Sequence, residues 1–243
     1  NRHVSHAVSD VVASLDELQA LCPNLERVAL VVAWFGDDLR AGECRVRPGV
    51  DRASKDTNGA TWSVAGVNRG SAYVVSSVDG RPAFGGTPSD DSVRHLIAEL
   101  KDRGLKITLY PFVMMDIPSG NTLPDPWTGA AAQPSFPWRG RITCDHAPGQ
   151  SGSPDGTSAA AAQIAALFGA ATPAHFSLAG ENVLYSGTDE WTLRRMVLHY
   201  AKLCQAAGGV GRTCSGNTAR LPHREGSQWA DRHRTCRHGG YCS

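Results

Sequence analysis

RVALVVAWF, residues 27–35, is a nearly continuous apolar run rich in β-branched and aromatic residues. Such a run suits a strand buried on both faces, the condition of a parallel sheet flanked by helices. Gly36, Asp37 and Asp38 end it. A second run, LKITLYPFVMM at 105–115, has the same character, with Pro111 predicting a bend or bulge. Before the first run, residues 7–21 place Val8, Val11, Val12, Leu15 and Leu18 at helical spacing, and Pro23 stops the helix. Before the second, Ser89, Asp90 and Asp91 offer N-caps for a helix through Arg103. Its buried stripe is Val93, Leu96, Ile97 and Leu100, and Gly104 is a natural residue to follow it.

The rest is less regular. Residues 45–70 are irregular apart from a short strand expected at Thr61–Val67, and Tyr73–Val78 is another short β-like run. After Asp116 a Pro- and Gly-rich loop runs to about Gly156, a length that marks a loop as functional or disordered. Helices are predicted at 157–168 and 189–207. A further strand is due after Gly208, but the apolar pattern fails there. Strands alternating with amphipathic helices give an α/β class with parallel strands. Only two or three such strands are visible, too few to close an eight-stranded barrel.

Composition changes abruptly at Gly211. Residues 211–243 hold six arginines, three histidines and three of the seven cysteines, and Leu221 is their only aliphatic residue larger than Ala. Six arginines against Glu225 and Asp231 give this segment +4, leaving −3 on the remainder of a chain whose net charge is +1. So little apolar material cannot offset ordering entropy, and the tail is predicted to be disordered. The domain division is therefore 1–210 and 211–243.

The near-zero net charge argues against nucleic acid and anionic membrane as partners. The apolar runs are too short to span a bilayer. Residues 1–10 carry no apolar signal core, and the absent initiator Met is read as a cut from something longer. The first four of the seven cysteines are expected to be reduced, buried or semi-buried thiols. No CxxC pair occurs, His146 and His175 have no second ligand at metal spacing, and Cys236, His238 and Cys242 with His233 fit no common zinc site. No metal and no cofactor is predicted. GxSxG, GxxxxGK[ST] and dinucleotide fingerprints are lacking.

In α/β proteins the carboxyl ends of strands carry the site. That places Asp37, Asp38 and Asp116 at one mouth. Two readings stand: a carboxylate pair doing glycosidase-type acid–base work, or turn caps that order their loops. Trp34, Tyr110, Trp127, Phe136 and Trp138 are likewise either a sugar-stacking platform or ordinary packing. Arg139 and Arg141 pair with Asp145 or an anion, or are solvated loop charges.

Several strings are specific enough for a resemblance. SLDELQALCPNLERVALVVAWFGDDLRAGECRVRPGV, FGGTPSD, YPFVMMDIPSGNTLPDPW, FPWRGRITCDHAPG and YSGTDEWTLRRMVLHYAKLCQAAGGV together resemble the glycoside-hydrolase-like TIM-barrel domain of gene transfer agents. That domain belongs to the tail-tip, or host-specificity, protein of these phage-like particles. The resemblance runs from about Ser14 to Val210. It implies an incomplete (β/α)8, TIM-barrel-like domain with a long loop insert. It also implies location in a phage-like tail tip after synthesis in the bacterial cytoplasm without a signal peptide. The implied partners are a cell-envelope glycan and other tail-tip proteins.

After Val210 the sequence departs from the family, which continues into a strand with a pattern like DAFxIGSExRGL whose Glu is the natural acid/base. The text here reads as out-of-frame translation, and the later strands are missing. The resemblance thus implies a truncated module that binds an envelope glycan or serves tail structure, with no catalytic residue assigned. The alternative is a hydrolase cleaving an envelope polysaccharide or peptidoglycan. Ligand-lining candidates are Trp34, Asp37, Asp38, Tyr110, Asp116, Trp127 and Trp138.

Overall fold

The computed structural model describes residues 7–55, 61–137 and 141–208, with the backbone alone at 212–213. In chain order the elements are α1 (Asp10–Leu21), β1 (Arg27–Gly36), β2 (Val46–Arg47), β3 (Gly49–Val50), β4 (Ser63–Val64), β5 (Val67–Asn68), β6 (Tyr73–Val74), β7 (Ser77–Val78), β8 (Arg81–Pro82), α2 (Asp90–Asp102), β9 (Lys106–Met115), α3 (Ser158–Phe168), β10 (Phe176–Ala179), β11 (Asn182–Tyr185), α4 (Leu193–Ala206) and β12 (Arg212–Thr213). The predicted helices and the two long strands fall within a few residues of their sequence signals.

The incomplete (β/α)8 expectation is corrected. The described residues have mixed α/β content: one four-stranded sheet of order β12-β9-β1-β2 and four separate two-stranded sheets, with no closed barrel. The reason lies in the connections. Between β1 and α2 the chain makes seven two-residue strands, with only β2 joining the main sheet, and β2 runs antiparallel to β1. Between α3 and α4, where a further parallel strand would be needed, β10 and β11 pair with each other as a separate hairpin.

β1 and β9 are parallel and in continuous register from Arg27↔Lys106 to Gly36↔Met115. The bend or bulge expected at Pro111 is absent. The Asp116 amide donates to the Gly36 carbonyl, and the alternation of a parallel ladder then turns Pro111 away from β1. Its missing N–H faces the other edge, where, among the described residues, β12 pairs at Thr108 and Leu109, so the ladder with β1 loses no bond. That pairing also places a short strand where the apolar pattern had run out. The rest of the predicted disordered tail lies outside the described residues.

One face of the sheet is the core. Val32, Trp34, Leu109, Val113 and Met115 are buried with Val93, Ile97 and Leu100 of α2 and Met196, Tyr200 and Leu203 of α4. The Ser89 hydroxyl caps α2 by accepting from the Ser92 amide at 3.1 Å, and Thr192 caps α4. A polar thread crosses this core. Trp34 Nε1 donates to the Tyr200 hydroxyl at 3.1 Å, and His199 Nε2 lies 2.9 Å from Asp90 Oδ1, whose other oxygen accepts from the Ala65 amide.

Cys22, Cys44 and Cys144 are free thiols; Cys44, Cys144 and Cys204 are buried, whereas Cys22, just past α1, is exposed. Burial pushes the Cys44 thiol up to about 12, so its reactive thiolate is scarce at neutral pH. Peptide-resolved alkylation of the native protein at about pH 8 is expected to label Cys22 and spare Cys44, Cys144 and Cys204 until denaturant is added. Labelling of Cys44 at the rate of Cys22 would contradict this packing.

Candidate functional site

Because β1 and β9 are parallel and end together, the chain leaves both at one end of the sheet. Gly36 allows this closeness: a Cβ there would meet Met115 Sδ at 2.9 Å and Val113 Cγ1 at 3.1 Å. Asp37, Asp38 and Asp116 therefore emerge side by side. The loop after β9 folds back onto the same end, where Thr143 bonds the backbone of Leu39 and Ala41.

The three carboxylates have different fates. Asp38 is buried and accepts from Arg40 Nη2 at 2.7 Å, Arg40 Nε at 3.0 Å, the Arg40 amide at 2.8 Å and Gln133 Nε2 at 2.7 Å. The Gln133 Oε1 in turn accepts from the Leu39 amide at 2.9 Å. Asp38 thus fastens the loop after β9 to the turn after β1. Asp116 is also buried, and accepts from the Tyr73 hydroxyl at 2.6 Å, the Ser76 amide at 2.8 Å and the Ser76 hydroxyl. It fastens the β6–β7 segment over the strand ends.

Asp37 is half-buried and accepts from the Arg45 amide at 2.9 Å and from Arg47 Nη2 at 3.0 Å. Burial raises its carboxyl above the ordinary value of 3.8, against the lowering pull of the Arg45 amide and the Arg47 charge. The folded state therefore holds this proton more tightly than the unfolded chain does. Stability from this group is fully present below 3.8 and falls as pH rises through the raised folded value. Asp37→Asn is expected to remove that part of the slope in urea unfolding measured from about pH 3.5 to 6. An unchanged slope would show that Asp37 is not the group responsible.

Beside the carboxylates runs an aromatic ladder. Tyr73 and Phe35 have ring centroids 6.3 Å apart, Phe35 and Phe84 5.4 Å, and Phe84 and Phe136 5.9 Å. The Arg47 guanidinium covers Tyr73 at 4.2 Å. Phe84 and Phe136 are partly exposed. Phe136 holds a left-handed φ of 44°, and its N–H donates a hydrogen bond to the Ile117 carbonyl at 2.8 Å. A bulky residue in that region is strained by about 1–3 kcal/mol, and such strain persists where the surroundings over-determine it.

The sequence-predicted aromatics scatter. Trp34 is fully buried against Trp191, His199 and Tyr200, in the core and not in a ligand surface. Tyr110 sits mid-strand on the face opposite the core, 6.2 Å from Phe112. Trp127 is half-buried in the loop after β9, donating to the Arg141 carbonyl at 2.7 Å with the Arg141 guanidinium 5.8 Å from its ring. Trp138 and Arg139 lie outside the described residues. Tyr73, Ser76, Phe84 and Gln133 were not legible as site residues, since none sits in a spacing that announces a partner. Phe136 was among the aromatics that the sequence singled out.

Among the described residues, no group of three or more His, Cys, Asp and Glu is placed to hold a metal ion. No helix among them is long and apolar enough to cross a membrane. No protein-family model matches the chain, and no curated protein matches it.

Proposed function

We propose that this chain is a glycan-binding or structural module from the tail-tip protein of a gene transfer agent or related phage-like particle, and that it does not hydrolyse the glycan. Its partners in this reading are a cell-envelope glycan and neighbouring tail-tip proteins. The observation that carries the non-catalytic part is the saturation of Asp38 and Asp116 by internal donors. Glycoside hydrolysis by paired carboxylates needs one to protonate the leaving group and another to attack or to activate water. A carboxylate whose oxygens are filled by Arg40 and Gln133, or by Tyr73 and Ser76, is held for architecture. The partly exposed Phe84 and Phe136 rings, linked through Phe35 to the Tyr73 ring that Arg47 covers, supply apolar faces on a ladder with a polar end, which is what a sugar ring requires.

The hydrolase reading rests on Asp37, which is half-exposed and raised in the direction of a general acid. Neither Asp38 nor Asp116 is free to act as its partner.

A bacterial glycan array probed with the full chain tests the binding reading. Retention on envelope glycans, weakened about tenfold or more by Phe84→Ala or Phe136→Ala, is the expected result. No retention on any glycan, or retention indifferent to both substitutions, would sink it.

A further inference from the structure

Phe35 of β1 stands directly opposite Arg47 of β2, and opposite residues of an antiparallel pair share one face of the sheet. On that face the Phe35 ring lies 5.4 Å from Phe84 and 6.3 Å from Tyr73, and the Arg47 guanidinium lies 4.2 Å from the Tyr73 centroid. Asp37, two residues beyond Phe35, pairs with Arg47 at 3.0 Å. Phe35 is therefore the rung between the Asp37–Arg47 pair and the partly exposed Phe84 ring.

This ion pair is open where its neighbour is closed. Arg40 gives both Nε and Nη2 to Asp38, whose side chain is 6% exposed. Among the described residues Arg47 gives Asp37 only Nη2, and the two side chains are 27% and 26% exposed. A guanidinium has several N–H donors and an ionised carboxylate several acceptor positions. On Asp37 the Arg45 amide takes a position on one oxygen and Arg47 a position on the other, which leaves capacity on both. A donor and an acceptor are thus held side by side, 3.0 Å apart, a separation that suits hydroxyls on adjacent carbons of a sugar ring. One hydroxyl accepts from Arg47 while the other donates to Asp37.

The charges here balance. Arg45 and Arg47 act on Asp37, and Asp37 and Asp116 act on Tyr73, so two cations stand against two anions. A sugar carboxylate or phosphate set on Arg47 would meet Asp37 beside it, and an amino sugar set on Asp37 would meet Arg47. Such like-charge contacts discriminate against the wrong ligand.

We propose, on the glycan-binding reading above, that the Asp37–Arg47 pair takes the vicinal hydroxyls of an uncharged sugar whose ring lies on Phe84. The site is then selective for neutral sugars with two adjacent hydroxyls free.

The test uses the full chain on an array that carries neutral bacterial glycans with free vicinal hydroxyls, a neutral glucan whose linkages leave no two adjacent hydroxyls free, and polygalacturonate. Neutral glycans with vicinal hydroxyls are expected to be retained at least about tenfold more tightly than the other two classes. That retention should persist at high salt, because no net charge is being screened. Arg47→Gln should weaken it about tenfold, with no gain on polygalacturonate. Asp37→Asn should also weaken it, but should gain binding to polygalacturonate at low salt, a gain that a merely damaged fold would not give. A wild-type preference for polygalacturonate, equal retention of the glucan without adjacent hydroxyls, or retention that Phe84→Ala weakens but Asp37→Asn and Arg47→Gln leave unchanged would overturn this selectivity while leaving glycan binding in place. No retention on any glycan would remove the binding reading itself, and this inference with it.

Discussion

Trp34→Ala is expected to lower the free energy of unfolding by about 3–5 kcal/mol, the range for truncating a large buried aromatic. Trp34 is fully buried midway between the strand pair and α4, with Trp191, His199 and Tyr200 around its ring. Its removal opens a cavity that the sheet cannot collapse into, because β1 is held to β9 along its whole length. It also takes away the donor to the Tyr200 hydroxyl in a site where burial already pushes that hydroxyl's pKa up. Urea unfolding of the two proteins measures the difference. A loss below about 1 kcal/mol would mean that this ring faces solvent or a ligand after all.

Asp38→Ala is expected to cost about 2–3 kcal/mol. Breaking a buried ion pair costs about 3–5 kcal/mol, and the partial exposure of Arg40 lets water repay some of that loss. The Gln133 side-chain nitrogen keeps the Pro124 carbonyl as an acceptor but loses Asp38, so one of Gln133's two ties to the turn after β1 is gone and only the bond from the Leu39 amide is left. The loop after β9 should therefore loosen first, and amide exchange at Leu39 and around Gln133 should quicken before the β1–β9 ladder is affected. Asp38→Asn keeps one acceptor and should lose only about 1 kcal/mol. Equal losses for the two variants would show that charge, and not the acceptor geometry, holds the loop.

The elements legible in the sequence were those whose signal is local. Ser89 before Asp90 and Asp91, with Val93, Ile97 and Leu100 at helical spacing, specifies α2 without help from the rest of the chain. RVALVVAWF and LKITLYPFVMM specify two long strands for the same reason, but the first is not buried on both faces: Arg27, Ala29 and Val31 are exposed on the side away from the core. What those strings do not encode is what joins the sheet beside them. The described residues between 46 and 82 break into two-residue strands, and β10 closes on β11 instead of joining β9, so the barrel-like fold that the resemblance implied is not what forms among the described residues. At the site, the position of the carboxylates followed from parallel strands ending together, but their occupancy did not. Gln133 lies 95 residues from Asp38, and Ser76 lies 40 from Asp116, with no spacing rule to join them. The aromatic candidates show the same limit. Trp34 and Phe35 are neighbours in one strand, and alternation sends the first into the helix-covered core and the second to Tyr73 and Phe84.

Asp116 separates the architectural account from the catalytic one most directly. Wild-type chain and Asp116→Asn are each incubated with peptidoglycan and common bacterial polysaccharides, new reducing ends are measured, and both proteins are unfolded in urea. The amide in place of one carboxylate oxygen would oppose donors from Tyr73 or Ser76, so Asp116→Asn should lose about 1–3 kcal/mol. Neither protein should release reducing ends. Release by the wild type that disappears in an Asp116→Asn protein of undiminished stability would contradict the account and put the chemistry on Asp116.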